Sequence, residues 1–124
     1  MTSNYSLLIV DDEVDLLEMY KDYLESEGFH IISASSGEAA LEIFKSHDTI
    51  KLVISDSHMG KMSGLDLLGH MKDLNKAMPI FYLSTGDVNK NEKELKVLGV
   101  SRLILKPFDL DELINLIKTD LGNV

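Results

Sequence analysis

The stretch that decides the fold is LVISDSHMG, residues 52–60. It opens with Leu, Val and Ile in succession, which is typical of a strand buried on both faces of a parallel sheet. The apolar run stops at Asp56, and the polar and glycine residues 57–60 then indicate a loop. A core strand therefore delivers one carboxylate to its carboxyl end.

Four more short apolar runs occur along the chain, and segments with helical periodicity separate them. The predicted strands are Ser6–Val10, His30–Ala34, Leu52–Ser55, Ile80–Leu83 and Val100–Leu105. The predicted helices are approximately Glu13–Glu27, Gly37–Lys45, Leu65–Leu74, Asn89–Leu98 and a last helix capped by Asp109, with an apolar face of Leu110, Leu113, Ile114, Ile117 and Leu121. This alternation predicts a doubly wound α/β domain: a five-stranded parallel sheet with five helices on its two faces.

Composition narrows the possible functions. The chain has 124 residues, no cysteine and a formal net charge of −9, and it contains no basic stripe, so we expect no direct nucleic-acid binding. No apolar run approaches the roughly 20 residues of a membrane span, and the first residues lack the features of a signal peptide. We therefore expect a cytoplasmic protein in which residues 1–124 form one domain, with no effector domain in this chain.

Chemically useful side chains follow four of the five predicted strands. They are Asp11–Asp12, Asp56, Ser84–Thr85 and Lys106–Pro107. A single aspartate after a strand is usually a turn or helix-capping residue. Three at one sheet edge are different, because each like-charge pair costs roughly 3 kcal/mol at about 5 Å and an effective dielectric near 20. A cation would remove that cost, and hard oxygen ligands suit Mg²⁺ with a phosphate. The lysine and a hydroxyl would then meet the remaining phosphate oxygens.

The segments LLIVDDE, LVISD, FYLSTG and LILKPF, in this order and spacing, resemble the response-regulator receiver domain of two-component signalling. The resemblance covers roughly residues 5–121. It implies a flavodoxin-like sheet with strand order 2-1-3-4-5. It also implies a function: Mg²⁺-dependent transfer of a phosphoryl group from a partner histidine kinase or phosphotransfer protein. Such a domain is a phosphoacceptor rather than a turnover enzyme, and its downstream target or linked effector stays open.

The resemblance also assigns roles to individual residues. Asp56 matches the phosphoacceptor, and the metal ligands would be Asp11, Asp12, Asp56 and the backbone carbonyl of His58. Lys106 matches the lysine that meets the phosphoryl group, followed by Pro107 across a peptide bond that is commonly cis. The switch hydroxyl falls on Ser84, with Thr85 as the alternative. Phosphorylation would change the surface formed by the fourth helix, fifth strand and fifth helix.

Three positions depart from the family pattern. Gly60 stands where a proline is usual, so we expect a more mobile loop. Leu103 stands at the position of the rotating Tyr or Phe of the switch, so we expect a constant apolar spot beside the fourth helix. His58, two residues after the acceptor, is either a residue that tunes phosphoryl hydrolysis or a solvated loop histidine.

Three rival functions fit less well. Mg²⁺-dependent phosphohydrolases with an aspartate nucleophile carry D-x-D after the first strand, whereas this chain has Asp11–Asp12–Glu13. A phosphorylation-independent interaction module would have lost one of the acidic residues or Lys106. A nucleotide-binding flavodoxin-like domain would need a glycine-rich loop after the first strand, and none is present.

Overall fold

The computed structural model describes residues 5–87 and 91–122. Its strands are β1 Ser6–Val10, β2 Ile31–Ala34, β3 Ile50–Asp56, β4 Ile80–Thr85 and β5 Arg102–Leu105. Its helices are α1 Val14–Ser26, α2 Gly37–Ser46, α3 Gly64–Asp73, α4 Glu92–Leu98 and α5 Leu110–Asp120. All strand pairs are parallel and the sheet order is β2-β1-β3-β4-β5. The fold class and the strand order that the sequence predicted are confirmed.

The main differences from the predicted bounds lie at strand ends. β3 extends through Asp56 and β4 through Thr85, so both polar ends belong to the sheet itself. Asp56 pairs with Ser84, and Thr85 pairs with Leu105 of β5, which holds these polar residues in extended backbone. β5 begins at Arg102 rather than Val100, because residues 99–101 form the turn after α4. The predicted start of the fourth helix at Asn89 lies outside the described residues, and Asn91 caps the described helix.

Alternating strand side chains build a core on each face of the sheet. One core packs strand residues such as Val53 and Leu83 against α2, α3 and Leu95 of α4. The other packs Leu52, Ile54, Tyr82 and Ile104 against α1 and α5. The strand alternation therefore decides which face each polar residue at the carboxyl edge occupies.

A partly buried hydrogen-bond network fixes α5 to the sheet at the end opposite the predicted site. The Tyr82 hydroxyl donates to Asp120 Oδ2 at 2.5 Å, and Arg102 donates from Nε and Nη2 to the two carboxylate oxygens at 2.7 and 2.9 Å. The Arg102 hydrogen bonds hold the pKa of Asp120 below its usual range. Burial, together with the bond to Asp120, raises the pKa of Tyr82. The network ties β4, β5 and the last turn of α5 to one another.

None of the helices within residues 5–87 and 91–122 combines the length and the apolar character needed to cross a bilayer.

We expect Asp120→Asn to lower the free energy of unfolding at neutral pH by roughly 1–3 kcal/mol, because Arg102 and buried Tyr82 lose a charged acceptor. The folded pKa of Asp120 is depressed, so its stabilisation is complete above the unfolded value, about 4. It disappears as pH falls through the folded pKa. Urea unfolding at several pH values measures this, and the gap between the two proteins should close below pH 4.

Asp73→Asn, at an exposed position in α3, is the matched control and should change stability little. An Asp120→Asn defect that persisted unchanged into strong acid would contradict the charge-based explanation.

Candidate functional site

Three carboxylates meet at the carboxyl edge of the sheet. Asp11 and Asp12 follow β1, and Asp56 is the last residue of β3. One carboxylate oxygen from each lies within 4.8 Å of the other two. Asp11 and Asp56 are buried, with 2% and 9% of their surface exposed, whereas Asp12 faces solvent. The parallel strands thus bring together the three acids that the sequence placed at strand ends.

Neither Asp11 nor Asp12 is the N-cap of α1. That position belongs to Glu13, whose side chain makes no capping hydrogen bond. Asp11 Oδ1 instead accepts the Glu13 backbone N–H at 2.9 Å, which joins the acidic pair to the start of the helix. Capping of α1 therefore does not by itself explain why two acids stand at these positions.

Lys106 connects two of the acids. Its Nζ lies 3.0 Å from Asp11 Oδ2 and 3.2 Å from Asp56 Oδ1, and its side chain is mostly buried. Burial alone would lower the pKa of Lys106, but the hydrogen bonds and negative charges of Asp11 and Asp56 outweigh it and raise that pKa. The peptide bond from Lys106 to Pro107 is cis, as the resemblance implied. The lysine is held charged between the two carboxylates.

Opposing effects act on the pKa of Asp56. Burial raises the pKa of its carboxyl above the usual value, and the charge of Asp11 adds to that rise. Lys106 and the Ser57 backbone N–H, which donates to Asp56 Oδ1 at 3.0 Å, act in the opposite direction but do not cancel it. The ionised carboxylate is thus under-compensated by the residues around it, and an added cation would complete the compensation.

The donor set fits a hard divalent cation. All the converging side-chain ligands are carboxylate oxygens, with no sulfur or imidazole among them, and this suits Mg²⁺. Three carboxylates and one lysine leave an excess of two negative charges, which a divalent ion would neutralise. Both Asp11 oxygens already accept hydrogen bonds, whereas exposed Asp12 is open to solvent on the approach side.

The strand register separates the two hydroxyl residues that end β4. Ser84 is the direct partner of Asp56, and the Ser57 N–H donates to the Ser84 carbonyl at 2.8 Å. Side chains of paired residues lie on the same face, so Ser84 shares the α1 and α5 face with Asp56, and Thr85 lies on the other. The Ser84 hydroxyl lies 3.5 Å from the Ser55 carbonyl, whereas Thr85 Oγ1 accepts the Asp87 N–H. Of these two hydroxyl residues, Ser84 is therefore the one that lies on the same sheet face as Asp56.

Comparison with known proteins agrees with this geometry. The family model for the response regulator receiver domain matches residues 7–118. The chain belongs to the response regulator receiver domain family.

Relatives of the receiver domain include response regulators from staphylococci. Response regulator SaeR of Staphylococcus epidermidis is 34% identical over 108 residues, which are 87% of this chain and 46% of that protein. Heme response regulator HssR of Staphylococcus saprophyticus is 35% identical over 111 residues, 90% of this chain and 49% of that protein. The chain spans about half the length of the curated relatives it matches. A receiver protein from Pseudomonas putida superposes with a TM-score of 0.84 at 30% identity, over 96% of this chain and 99% of that one.

Two glycines shape the loop between β3 and α3. Gly60 has φ +74°, a left-handed conformation that proline cannot adopt, so its backbone differs from that of receivers with Met-Pro here. Gly64 opens α3 directly against the acceptor strand: a Cβ there would lie 2.5 Å from the Asp56 carbonyl and 2.6 Å from Leu83. Ser63 caps the helix in a reciprocal capping box with Asp66. The close helix start holds the end of β3 in place.

The two remaining predicted site residues occupy different surroundings. The His58 side chain is exposed in the loop, with Nδ1 3.2 Å from Ser57 Oγ. Leu103 is only partly buried and packs on the opposite sheet face from Asp56, against the core shared by α2, α3 and α4. The exposed large apolar side chains of α4 and β5 are Val97, Leu98 and Leu105, at 86%, 48% and 46% exposure. The apolar surface beside the fourth helix therefore rests mainly on these neighbours.

Sequence reasoning missed two structural contributors to the site. The Ser57 backbone N–H donates to the Asp56 carboxylate, and no side-chain pattern predicts such a contact. Gly64 packs against the Asp56 carbonyl, and a signal for it was present. The sequence S-x-x-D at Ser63–Asp66, just before an apolar helical stripe, predicts a helix that begins at Gly64.

We expect Mg²⁺ to stabilise this domain through the carboxylate cluster. At a concentration about 100 times its Kd, the ion should add about 2.7 kcal/mol to the free energy of unfolding. A tenfold loss of affinity in Asp12→Asn would reduce that gain to about 1.4 kcal/mol at the same concentration. Metal-free Asp12→Asn should be no less stable than the unaltered protein, because a repulsive charge is removed. Denaturant unfolding with and without Mg²⁺ measures both effects.

Asp15→Asn is the control, since this acid lies in the first turn of α1 and outside the cluster. It should retain the full Mg²⁺ gain. Equal gains in the Asp12→Asn and Asp15→Asn proteins would remove Asp12 from the site.

Proposed function

We propose that Asp56 accepts a phosphoryl group from the phosphohistidine of a histidine kinase or phosphotransfer protein, in a Mg²⁺-dependent reaction. The observation that carries the proposal is the Lys106 ammonium, bonded at once to Asp11 and Asp56 beside a third carboxylate. Membership of the receiver family supports it. The domain is accordingly a signalling domain whose own side chain is the acceptor.

In the proposed reaction, an Asp56 carboxylate oxygen forms a bond to phosphorus as the bond from phosphorus to the histidine nitrogen breaks. The electron pair of the broken bond stays on the imidazole, which then takes up a proton. Such transition states are loose, so positioning and charge neutralisation supply most of the acceleration. β3, the Ser57 N–H and the helix start at Gly64 hold the nucleophile. Lys106 is placed to meet a phosphoryl oxygen.

Four groups would hold the metal ion: the carboxylates of Asp11, Asp12 and Asp56, and the backbone carbonyl of His58. When bound, Mg²⁺ neutralises charge on the phosphoryl oxygens. Asp11 is the candidate for a ligand that acts through water, because Lys106 and the Glu13 N–H already occupy its oxygens. The His58 imidazole is exposed two residues after Asp56, and this position supports a role in tuning hydrolysis.

The signal would leave through the surface of α4, β5 and α5. Phosphorylation adds negative charge at the edge of the sheet, and the Ser84 hydroxyl is the nearest donor on β4 that could turn towards it. Within the described part of α4, only Leu95 is buried, so little packing opposes a movement of this helix. Leu103 packs against the core that includes Leu95 of α4, and it would keep a constant apolar contact there while the helix moves, in place of the rotating ring of the switch.

The proposal extends to the whole chain. Residues 1–124 would act as one receiver unit in the cytoplasm, with a separate target or a linked effector domain reading its state. The net charge of −9 supports an output through protein contacts rather than direct nucleic-acid binding. In the longer relatives, the receiver-like part is about half of the protein.

We expect incubation with acetyl phosphate and Mg²⁺ to add one phosphoryl group, seen as a single mass increase. Asp56→Asn should abolish the labelling, because an amide oxygen is a poor nucleophile and Asp56 alone ends the central strand. Asp66→Asn, in the exposed first turn of α3, is the matched control and should label normally. Full labelling of the Asp56→Asn protein would assign the acceptor elsewhere.

A substitution at Leu103 tests whether phosphorylation of Asp56 and the response of α4 and β5 depend on different residues. Because it lies on the sheet face opposite Asp56, we expect Leu103→Ala to leave the phosphorylation rate constant within about twofold of the original. The amide spectrum of α4 and β5 should nevertheless change in both the free and the beryllofluoride-bound protein. Tenfold slower labelling, or a spectral change restricted to the beryllofluoride state, would contradict a constant apolar contact at this position.

A further inference from the structure

α1 contacts the segment that carries Lys106 at a point beyond the ion pairs. The Tyr20 ring, in the second turn of α1, packs on Phe108 with ring centroids 5.0 Å apart and a tilt of 32°. Only Pro107 lies between Lys106 and Phe108, so the ring contact is made by the short loop that carries the Lys106 ammonium. Tyr20 is buried and Phe108 is partly buried in the same core.

One turn further along α1, a second contact reaches the same region. The Tyr23 hydroxyl donates to Asp111 Oδ1 at 2.5 Å, in the first turn of α5. Residues three apart lie on the same helix face, so Tyr20 and Tyr23 together join α1 to residues 108–111. The acidic pair precedes this same helix and is bonded to its first turn through Asp11 and Glu13. α1 thus connects the acids on one side of the site with the lysine loop on the other.

The Tyr20 hydroxyl also lies within the electrostatic reach of the site. Burial raises its pKa, and Lys106, Asp11, Glu13 and Asp56 all perturb it. The Tyr20 side chain is therefore close enough to Lys106, Asp11 and Asp56 to interact with them electrostatically, and its ring contacts the residue two positions beyond Lys106.

We propose that Tyr20 is a positioning residue for phosphoryl transfer: its ring, packed on Phe108, holds the loop that presents Lys106 to Asp11 and Asp56. The inference rests on the proposed function of Asp56 as acceptor, and it adds a residue outside the group that touches the phosphoryl oxygens. Small displacements of a charge-neutralising group reduce rates strongly, so a stacked ring pair can govern the rate without contacting the substrate.

The experiment compares variants under saturating Mg²⁺, with acetyl phosphate as the donor. Tyr20→Leu should lower the phosphorylation rate constant about tenfold and weaken beryllofluoride binding similarly, since both depend on Lys106. Its Mg²⁺ affinity, measured by calorimetry, should stay within about twofold, because the carboxylates are unaffected. Tyr20→Phe retains the ring and should restore the rate to within about twofold. If Tyr20 had only a structural role, Tyr20→Leu would lower stability without lowering the rate constant and beryllofluoride binding selectively relative to Mg²⁺ affinity.

Two further variants make the result decisive. Phe108→Leu removes the other ring, so it should cost the same factor, and the double variant with Tyr20→Leu should lose no more than either alone. Phe108→Leu alone answers the question if Tyr20→Leu does not fold. Phe29→Leu is the control: it trims an aromatic residue of the same core, at the turn between α1 and β2, and should leave the rate unchanged.

The outcomes separate the two proposals. If the unaltered protein takes no phosphoryl group, the proposed function fails. If it is labelled but Tyr20→Leu labels equally fast, the positioning role fails alone. Losses that add in the double variant would also overturn that role, as would a Tyr20→Phe protein as slow as Tyr20→Leu.

Discussion

The arrangement of the whole molecule depends on one interaction, the contact of the Lys106 ammonium with Asp11 and Asp56. Carboxylate oxygens within 4.8 Å of one another repel, by roughly 3 kcal/mol per pair at an effective dielectric near 20. The lysine offsets this repulsion at about 3 Å from two of them. Burial nevertheless keeps the pKa of Asp56 above its usual value, so Lys106 does not fully compensate the ionised carboxylate. The edge of the sheet is therefore suited to bind a further cation. In the proposed reaction, Lys106, which pairs here with Asp11 and Asp56, would instead contact a phosphoryl oxygen.

The two helices beside β4 and β5 differ in how firmly they are fixed. The last turn of α5 is joined to β4 and β5 by a short, charge-assisted network of Tyr82, Arg102 and Asp120, and the helix buries three apolar residues. By contrast, α4 buries only Leu95 among its described residues and exposes two apolar residues in its last turn. A change in charge beside Asp56 would thus act next to a helix that is held by little packing. Movement of α4 is therefore less costly than movement of α5.

The sequence predicted the architecture because each level of pattern agreed with the next. Branched apolar runs, helical stripes and the cap at Asp109 indicate the same βα order, and parallel strands bring their carboxyl ends to one edge. The approach of Asp11, Asp12, Asp56 and Lys106 follows from that topology alone. The choice between Ser84 and Thr85 needed the register, because a one-residue shift moves a side chain to the other face. The left-handed backbone at Gly60 and the Arg102–Asp120 pair depend on tertiary contacts, which no local pattern encodes.

For Tyr20, the sequence predicts a position in the core but not the residue that it contacts there. The apolar stripe of Val14, Leu17, Tyr20 and Leu24 predicts the inward face of α1. The structure confirms the burial of Leu17, Tyr20 and Leu24, whereas Val14, the first residue of the helix, is 56% exposed. Periodicity reports only that a side chain faces inward, and says nothing about which distant segment it meets. The partner here is Phe108, 88 residues away along the chain and two beyond Lys106. α1 begins directly after the acidic pair, and its Tyr20 contacts Phe108 from the second turn of the helix. The helix therefore sets the distance between the two acids and Lys106. The same core packing that stabilises the α1 and α5 face thereby fixes the geometry on which the charge balance of the site depends.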